Sequence, residues 1–244
     1  MLKRKGERHM KDTIYRRRSC RSFAEEPLSQ DVLDGIKKLE LKPLYPDIRV
    51  DWQIVKQEQV RFYMPWRAPQ LVAVFSENKP GYPENVGFML QQLDLALQKM
   101  GLGVCWMGLG KPRSGLSAPE GMEFVIFLAF GTPKEGFALG ARSFRRKALS
   151  EISDQEDQRL ECARVAPSST NSQPWYFVHE GDTLHACCSK AGILRHAMLG
   201  VMNRIDMGIA LAHLYVENPD SFRYFAAEAP HVPDGYGYIG SFTL

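Results

Sequence analysis

Four stretches of this chain carry side chains whose types and spacing could do chemistry. Ala166-Pro167-Ser168-Ser169-Thr170-Asn171-Ser172-Gln173-Pro174-Trp175 gathers hydroxyls, an Asn amide and backbone N–H groups into one segment. Such a set suits the carbonyls and ring nitrogens of a planar heterocycle, and the two prolines limit its unfolded freedom. An ordinary turn between a helix and a strand uses the same residues, and spacing does not separate the two. Arg17-Arg18-Ser19-Cys20-Arg21-Ser22-Phe23 and Arg145-Arg146-Lys147 are basic. Each reads either as solvated charge or as a place for phosphate, whose oxygens match the planar Arg fork. Gly101-Leu102-Gly103-Val104-Cys105-Trp106-Met107-Gly108-Leu109 offers an apolar wall.

The elements that must hold these stretches follow from periodicity. Residues 29–41 place Val32, Leu33, Ile36 and Leu39 at helical spacing behind the N-cap candidate Ser29. Residues 85–100 predict a long amphipathic helix ended by Gly101. Residues 52–55, 71–75 and 125–130 read as strands. The pattern then restarts, with a helix over 154–165, a strand over 175–178, a long helix over 198–217 and a strand over 222–226. DWQIV (51–55) matches PWYFV (174–178), QQLDLAL (91–97) matches NRIDMGI (203–209), and VIFLAFGTP (125–133) matches FRYFAAEAP (222–230). Three matches in one order predict two copies of one α+β unit, 12–150 and 151–244.

Bulk properties narrow the field. The chain has 244 residues and a formal net charge of +3, so nothing global demands nucleic acid or an anionic membrane. The basic residues from Lys3 to Arg21 lack the aromatic interleaving of a nucleic-acid groove apart from Tyr15 and Phe23. Cys20, Cys105, Cys162, Cys187 and Cys188 form no CxxC pair, which excludes zinc-site and disulfide-framework spacing and suggests a reducing, cytoplasmic setting. No run is long enough to span a bilayer. Residues 1–11 read as a disordered basic leader, with Met10 a candidate start.

The motifs resemble those of the nitroreductase family, which binds FMN, and the resemblance implies an α+β fold of two related halves with mostly antiparallel sheets packed by helices. APSSTNSQPW is similar to that family's flavin-contacting loop, and Arg17–Phe23 looks like its N-terminal arginine–serine motif. The resemblance implies Arg17, Arg18 and Ser19 on the phosphate and ribityl side and Arg21 near the N1–C2 edge of the ring. It implies that the stretch through Trp106, Met107, Gly108 and Leu109 lies over the isoalloxazine. It implies that Arg145 and Arg146 close on the phosphate, and that Pro167, Ser168, Ser169 and Asn171 contact the ring from the other side. NAD(P)H as reductant and a small conjugated acceptor, a nitroaromatic or a quinone, follow from the same resemblance. No side chain is implied as acid or base.

Nitroreductases are normally homodimers whose sites draw the arginine motif from one subunit and the serine loop from the other. Here the first half has the arginines and the GLGVCW stretch, while its counterpart of the serine loop, roughly Pro43–Asp51, lacks the serines and the Asn. The second half keeps the serine loop and lacks a clear arginine motif. The expectation is a fused pseudo-dimer with one competent and one degenerate site, monomeric or further dimerised. Rival readings are a flavin-binding protein without turnover and an FMN enzyme of narrower chemistry such as reductive dehalogenation. His213 and Asp206, seven apart on one helix, could pair, with packing the plainer role for His213. Asp94 and Asp206 fall at matched repeat positions, and Arg61 and Tyr63 are weaker flavin-contact candidates.

Overall fold

The computed structural model describes residues 10–61, 63–134, 145–190, 196–228 and 230–244. Most of the expected leader, with Lys3–Arg8, and Arg142 of the second basic cluster lie outside these residues. Met10 and Lys11, placed in the leader by sequence, instead open helix α1 (Met10–Arg16). Helix α2 covers Gln30–Lys37. Strands β1 (Val50–Lys56), β2 (Val60–Arg61) and β3 (Gln70–Ser76) follow. The long helix α3 spans Tyr82–Lys99, entered through Gly81 at φ +98° and left through Gly101 at φ +90°. Strands β4 (Gly103–Met107), β5 (Lys111–Pro112) and β6 (Glu123–Gly131) complete the first half. The second half has short helices α4 (Leu149–Ile152) and α5 (Glu161–Arg164) and strands β7 (Trp175–Glu180) and β8 (Thr183–Ser189). It ends with helix α6 (His196–Glu217) and strands β9 (Arg223–Phe225) and β10 (Tyr236–Thr243).

The two main sheets are antiparallel, with orders β1-β3-β6-β4 and β7-β8-β10-β9. Counted in chain order within each sheet, both run first, second, fourth, third, and in both the long helix comes between the second and third strands. Helices α3 and α6 pack against each other. A Cβ on Gly87 would stand 2.0 Å from the Ile205 carbonyl oxygen, and one on Gly208 would stand 2.0 Å from that of Glu84. The crossing is thus reciprocal: a shift of 121 residues carries 84 to 205 and 87 to 208.

The helix crossing and the sheet orders depart from the sequence matches in two places. The match of 91–97 to 203–209 falls on α3 and α6 but implies a shift of 112, whereas the shift of 121 at the crossing relates Asp206 to Asn85 rather than to Asp94. The match of 125–133 to 222–230 pairs β6 with β9, whereas the sheet orders pair β6 with β10 and β4 with β9. Gly237 and Gly240 break the apolar run of β10 and hide its strand signature. The helix expected over 154–165 is also shorter. Asp154 and Asp157 instead grip His179 of β7, at 2.7 Å to Nδ1 and 3.1 Å to Nε2, and helical turns begin only at Gln158.

Buried residues of α3 and α6 form one apolar core with β3, β6, β7 and β8. A second cluster, including Phe23, Leu71, Phe75, Met107 and Phe127, covers the other face of the first sheet. Each such side chain contributes about 1.5–3 kcal/mol. Helix α3 also buries Glu84, Asn85, Gln91, Gln92, Asp94 and Gln98. Buried polar groups need partners; Gln91, Asp94 and Gln98 find theirs in Trp106 and the Arg17–Arg18 segment, and Asn85 and Gln92 in the loop from Lys42 to Ile48.

Candidate cofactor and active site

The arginine–serine segment and the serine–asparagine loop meet at one cleft of about 150 Å³. Ser19 and Arg21 line it from the first segment, and Pro167, Ser168, Ser169 and Thr170 from the second. Cys105, Trp106 and Gly108 supply the wall at the end of β4, and Ile126 adds to it from β6. Met202, Ile205, Asp206 and Ile209 of α6 close it. Its volume is below the roughly 300–1,000 Å³ of whole-ligand pockets, so it has room for only part of a ligand of that size. A more open hollow of about 960 Å³ lies between α2 and the end of β1. It shares Arg21 with the cleft but takes nothing from the serine loop.

The first segment is positioned by α3 and β4. The Arg18 N–H donates to Gln98 Oε1 at 3.0 Å, and the Cys20 N–H donates to the Val104 carbonyl at 2.8 Å. Ser19 and Val104 form a parallel bridge. This approach requires Gly103, where a Cβ would stand 2.6 Å from Cys20 Sγ. Arg17 points into the interior, is 1% exposed, and has Nε 3.5 Å from Asp94 Oδ2. Its Nε and Nη2 make no hydrogen bond. Asp94 also accepts from Gln98, so one carboxylate ties Arg17 to the residue that holds Arg18.

The serine loop is strained. Thr170, Asn171 and Gln173 all have left-handed backbones, at φ of 52°, 60° and 48°. Non-glycine residues there cost on the order of 1–3 kcal/mol each and persist only when their surroundings over-determine them. Those surroundings are explicit. The Ser169 N–H donates to both Asp206 oxygens, at 3.1 and 3.0 Å, and the Gln173 N–H donates to Ser168 Oγ at 2.9 Å. Gln173 Oε1 accepts from the Lys147 N–H at 2.8 Å. Burial pushes the Asp206 carboxyl up to about 7, with the Ser169 and Ser172 hydrogen bonds pulling the other way.

Arg146 lies half-buried beneath this loop. It donates to the Ala166 carbonyl at 3.0 Å and to Asn171 Oδ1 at 2.6 Å. Burial, then the neighbouring cations Arg17 and Arg164, push it down to about 10. The Asn171 amide donates back to the Arg145 carbonyl at 2.9 Å, so loop and basic segment clamp each other.

A buried relay fixes Trp106. Its indole N–H donates to Gln91 Oε1 at 3.2 Å. Gln91 Nε2 lies 3.0 Å from His213 Nε2, and His213 Nδ1 lies 2.8 Å from the Cys162 carbonyl. A carbonyl only accepts, so Nδ1 carries the proton and Nε2 accepts from Gln91. Full burial holds His213 neutral, with its pKa pushed down to about 3. His213 therefore serves Trp106 rather than pairing with Asp206.

Arg17, Arg18 and Arg146 do not line the cleft, and the remaining expected positions also lie off its walls. Met107 is buried in the cluster beyond the first sheet. Leu109 is 57% exposed, and Arg145 and Asn171 are exposed beside the loop. Arg61 pairs with Lys111 in the β2–β5 ribbon and Tyr63 is exposed; neither lines the cleft. Sequence reading missed Gln91, which looks like any polar residue on a helix, and Ile126, Met202, Ile205 and Ile209, which look like core.

On α3, loop 43–46 hangs on Asn85, whose Oδ1 accepts from the Leu44 and Tyr45 N–H groups at 2.8 and 3.0 Å. Tyr45 there meets Tyr224 of β9 edge to face, with ring centroids 5.6 Å apart.

Among the described residues no helix is long and apolar enough to cross a membrane, and no cluster of three or more His, Cys, Asp or Glu could hold a metal ion. No curated protein matches the chain. A structure described as a "putative nitroreductase" from Thermotoga maritima has the same fold, with a TM-score of 0.68 at 20% identity over 99% of this chain and 95% of that one. A structure described as "Putative NADH dehydrogenase/NAD(P)H nitroreductase" from Parabacteroides distasonis gives 0.45 at 18% identity, over 59% of this chain and 95% of that one. An FMN- and NADPH-dependent nitroreductase of Sphigopyxis sp. strain HMH gives 0.46 at 16%, over 59% and 96%. A family model described as "Putative TM nitroreductase" matches residues 9–218, and the chain belongs to that nitroreductase family.

Proposed function

We propose that the chain is an FMN-dependent oxidoreductase that takes hydride from NAD(P)H and passes it to a small conjugated acceptor, a quinone or nitroaromatic, in alternation at one site. The observation that carries this reading is the shared cleft, in which Ser19 and Arg21 face Pro167–Thr170 with Trp106 as the wall between them. The donor set fits the group. Arg17 brings two buried N–H donors without hydrogen-bond partners, beside Arg146. A flavin phosphate carries about two negative charges, and charge-assisted bonds from Arg contribute roughly 1.5–3 kcal/mol each. Arg146, Arg17 and Arg18 would hold the phosphate, Ser168 and Ser169 the polar edge, and Arg21 the pyrimidine side.

When bound, the flavin supplies the hydride chemistry. The chain's own residues supply the rest. Trp106, Ile126 and Ile209 exclude water from the reacting face, the Gln91–His213 relay fixes the indole, and the Asp206–Ser169 contact fixes the loop. The matching sheet orders and the reciprocal α3–α6 crossing support a further part of the proposal. The two halves form an internal pseudo-dimer in which Tyr45 and Tyr224 fill the second site, leaving one cofactor per chain. Purified protein that carries one FMN, identified by mass after denaturation, and oxidises NADPH only when quinone or nitroaromatic is present, supports the assignment. Colourless protein that takes up no FMN on incubation removes it.

A further inference from the structure

We propose that Asp206 is the proton donor to the acceptor reduced in this cleft, an inference that rests on the redox reading above. Asp206 is 3% exposed yet lines the cleft among Trp106, Ile126, Ile205 and Ile209. Its anchoring task does not require an acid. Asn85, its counterpart across the α3–α6 crossing, holds the Leu44–Tyr45 backbone with a neutral amide oxygen. The ionisable group stands only in the half that keeps the serine loop. Both oxygens of Asp206 share the single Ser169 N–H, and Ser172 Oγ is a distant 3.5 Å. A carboxyl proton is therefore compatible with the anchor.

The chemistry needs such a group. A quinone reduced by hydride transfer takes one hydride from the reduced cofactor and one proton, giving the hydroquinone. The Asp206 O–H bond breaks, the quinone oxygen takes the proton, and the carboxylate that remains is reprotonated from water. Burial poises the carboxyl at about 7, where donation and recovery are both accessible. The titratable groups around it are Arg21 and Cys105 across the cleft, Cys188 of β8, and Glu84 with its partner Arg204 beyond that thiol.

The test compares wild type with Asp206→Asn, which can keep the anchor as Asn85 does. Flavin content is measured first; a wild type without flavin sinks the redox reading itself, before this proposal is reached. With flavin present, the expected result is that D206N retains it while the ratio of its quinone rate to its ferricyanide rate falls about a hundredfold. Ferricyanide takes electrons and no proton. Wild-type quinone reduction should also slow above pH 7 relative to ferricyanide reduction, and this comparison needs no variant. As a readout without cofactor, the stability difference between wild-type and D206N apoprotein should change between pH 4 and 7. An unchanged rate ratio in D206N, loss of flavin from D206N, wild-type pH profiles that coincide for the two acceptors, or a pH-independent stability difference each overturns the proposal.

Discussion

The hydroxyls of Tyr45 and Tyr224 meet at 2.6 Å, and Tyr224 Oη also lies 3.0 Å from the Ile239 carbonyl. Three groups thus share two protons. The Tyr224 hydroxyl donates to the carbonyl and accepts from Tyr45, and burial drives its pKa far above the ordinary phenol value. Gly240 makes room for this hydroxyl, since a Cβ there would stand 2.1 Å from it.

Tyr224→Phe should therefore destabilise the fold by about 1–3 kcal/mol, because Tyr45 loses an acceptor and the Ile239 carbonyl a donor. Tyr224→Ala should cost about 3–5 kcal/mol by leaving a cavity. Denaturant midpoints read both. Neither variant should change flavin content, because neither ring borders the cleft; a bleached Tyr224→Phe protein would mean that the Tyr45–Tyr224 contact is coupled to the cleft.

Arg146 donates in two directions, to the Ala166 carbonyl and to Asn171. Arg146→Ala should weaken FMN retention at least tenfold, the effect of losing one charge-assisted bond of about 1.5–3 kcal/mol. Arg146→Lys should recover little, because an ammonium cannot reproduce the fork. Asn171→Ala should weaken retention less, acting through the loop's left-handed backbone rather than through charge. Flavin titration of the apoproteins at two salt concentrations separates the cases, since the loss in Arg146→Ala should shrink as salt rises.

How much of this was legible in the chain depends on how far apart the partners lie. Strands β3 and β6 and helices α3 and α6 declare themselves through long apolar runs. Strand β4 escapes the strand pattern because Gly101 and Gly103 stand before and at its start, and Gly103 is there for the close approach of Cys20. Strand β8 hides behind Thr183, His185 and two cysteines. Within the site, local motifs bring Ser19, Arg21 and Ser168–Ser169 to attention. The contacts that fix them span 37 residues for Ser169–Asp206, 80 for Arg18–Gln98 and 122 for Gln91–His213. No short-range pattern encodes such pairs. The 121-residue register was also invisible, because its functional counterparts are an Asn and an Asp.

The five cysteines should be inert in the native state. All are free and buried. Burial pushes the thiols of Cys162 and Cys188 up to about 12 and that of Cys187 up to about 11, so little reactive thiolate exists near pH 8. Cys187 and Cys188 are consecutive in β8 and point to opposite faces. Ellman's reagent should label none of them in native protein within minutes and all five in denaturant. Rapid native labelling of even one would show that its surroundings open.

Asp206 and His213 should pull stability in opposite directions with pH. Asp206 has a folded pKa of about 7, raised from 3.8, so its contribution is full at low pH and is lost as pH climbs through 7. His213 has a folded pKa of about 3, lowered from 6.5, so its contribution is full above 6.5 and is lost as pH falls. Between about pH 4 and 6.5 the two slopes nearly cancel, each at most about 1.4 kcal/mol per pH unit. Removing one should expose the other. Relative to wild type, D206N stability should rise with pH across that window, and H213Q stability should fall. Urea melts of the apoproteins at pH 4.5, 5.5 and 6.5 measure the slopes. H213Q should also red-shift Trp106 emission if the relay orients the indole. Parallel slopes in the two variants would mean that at least one of these groups is open to solvent in the folded chain.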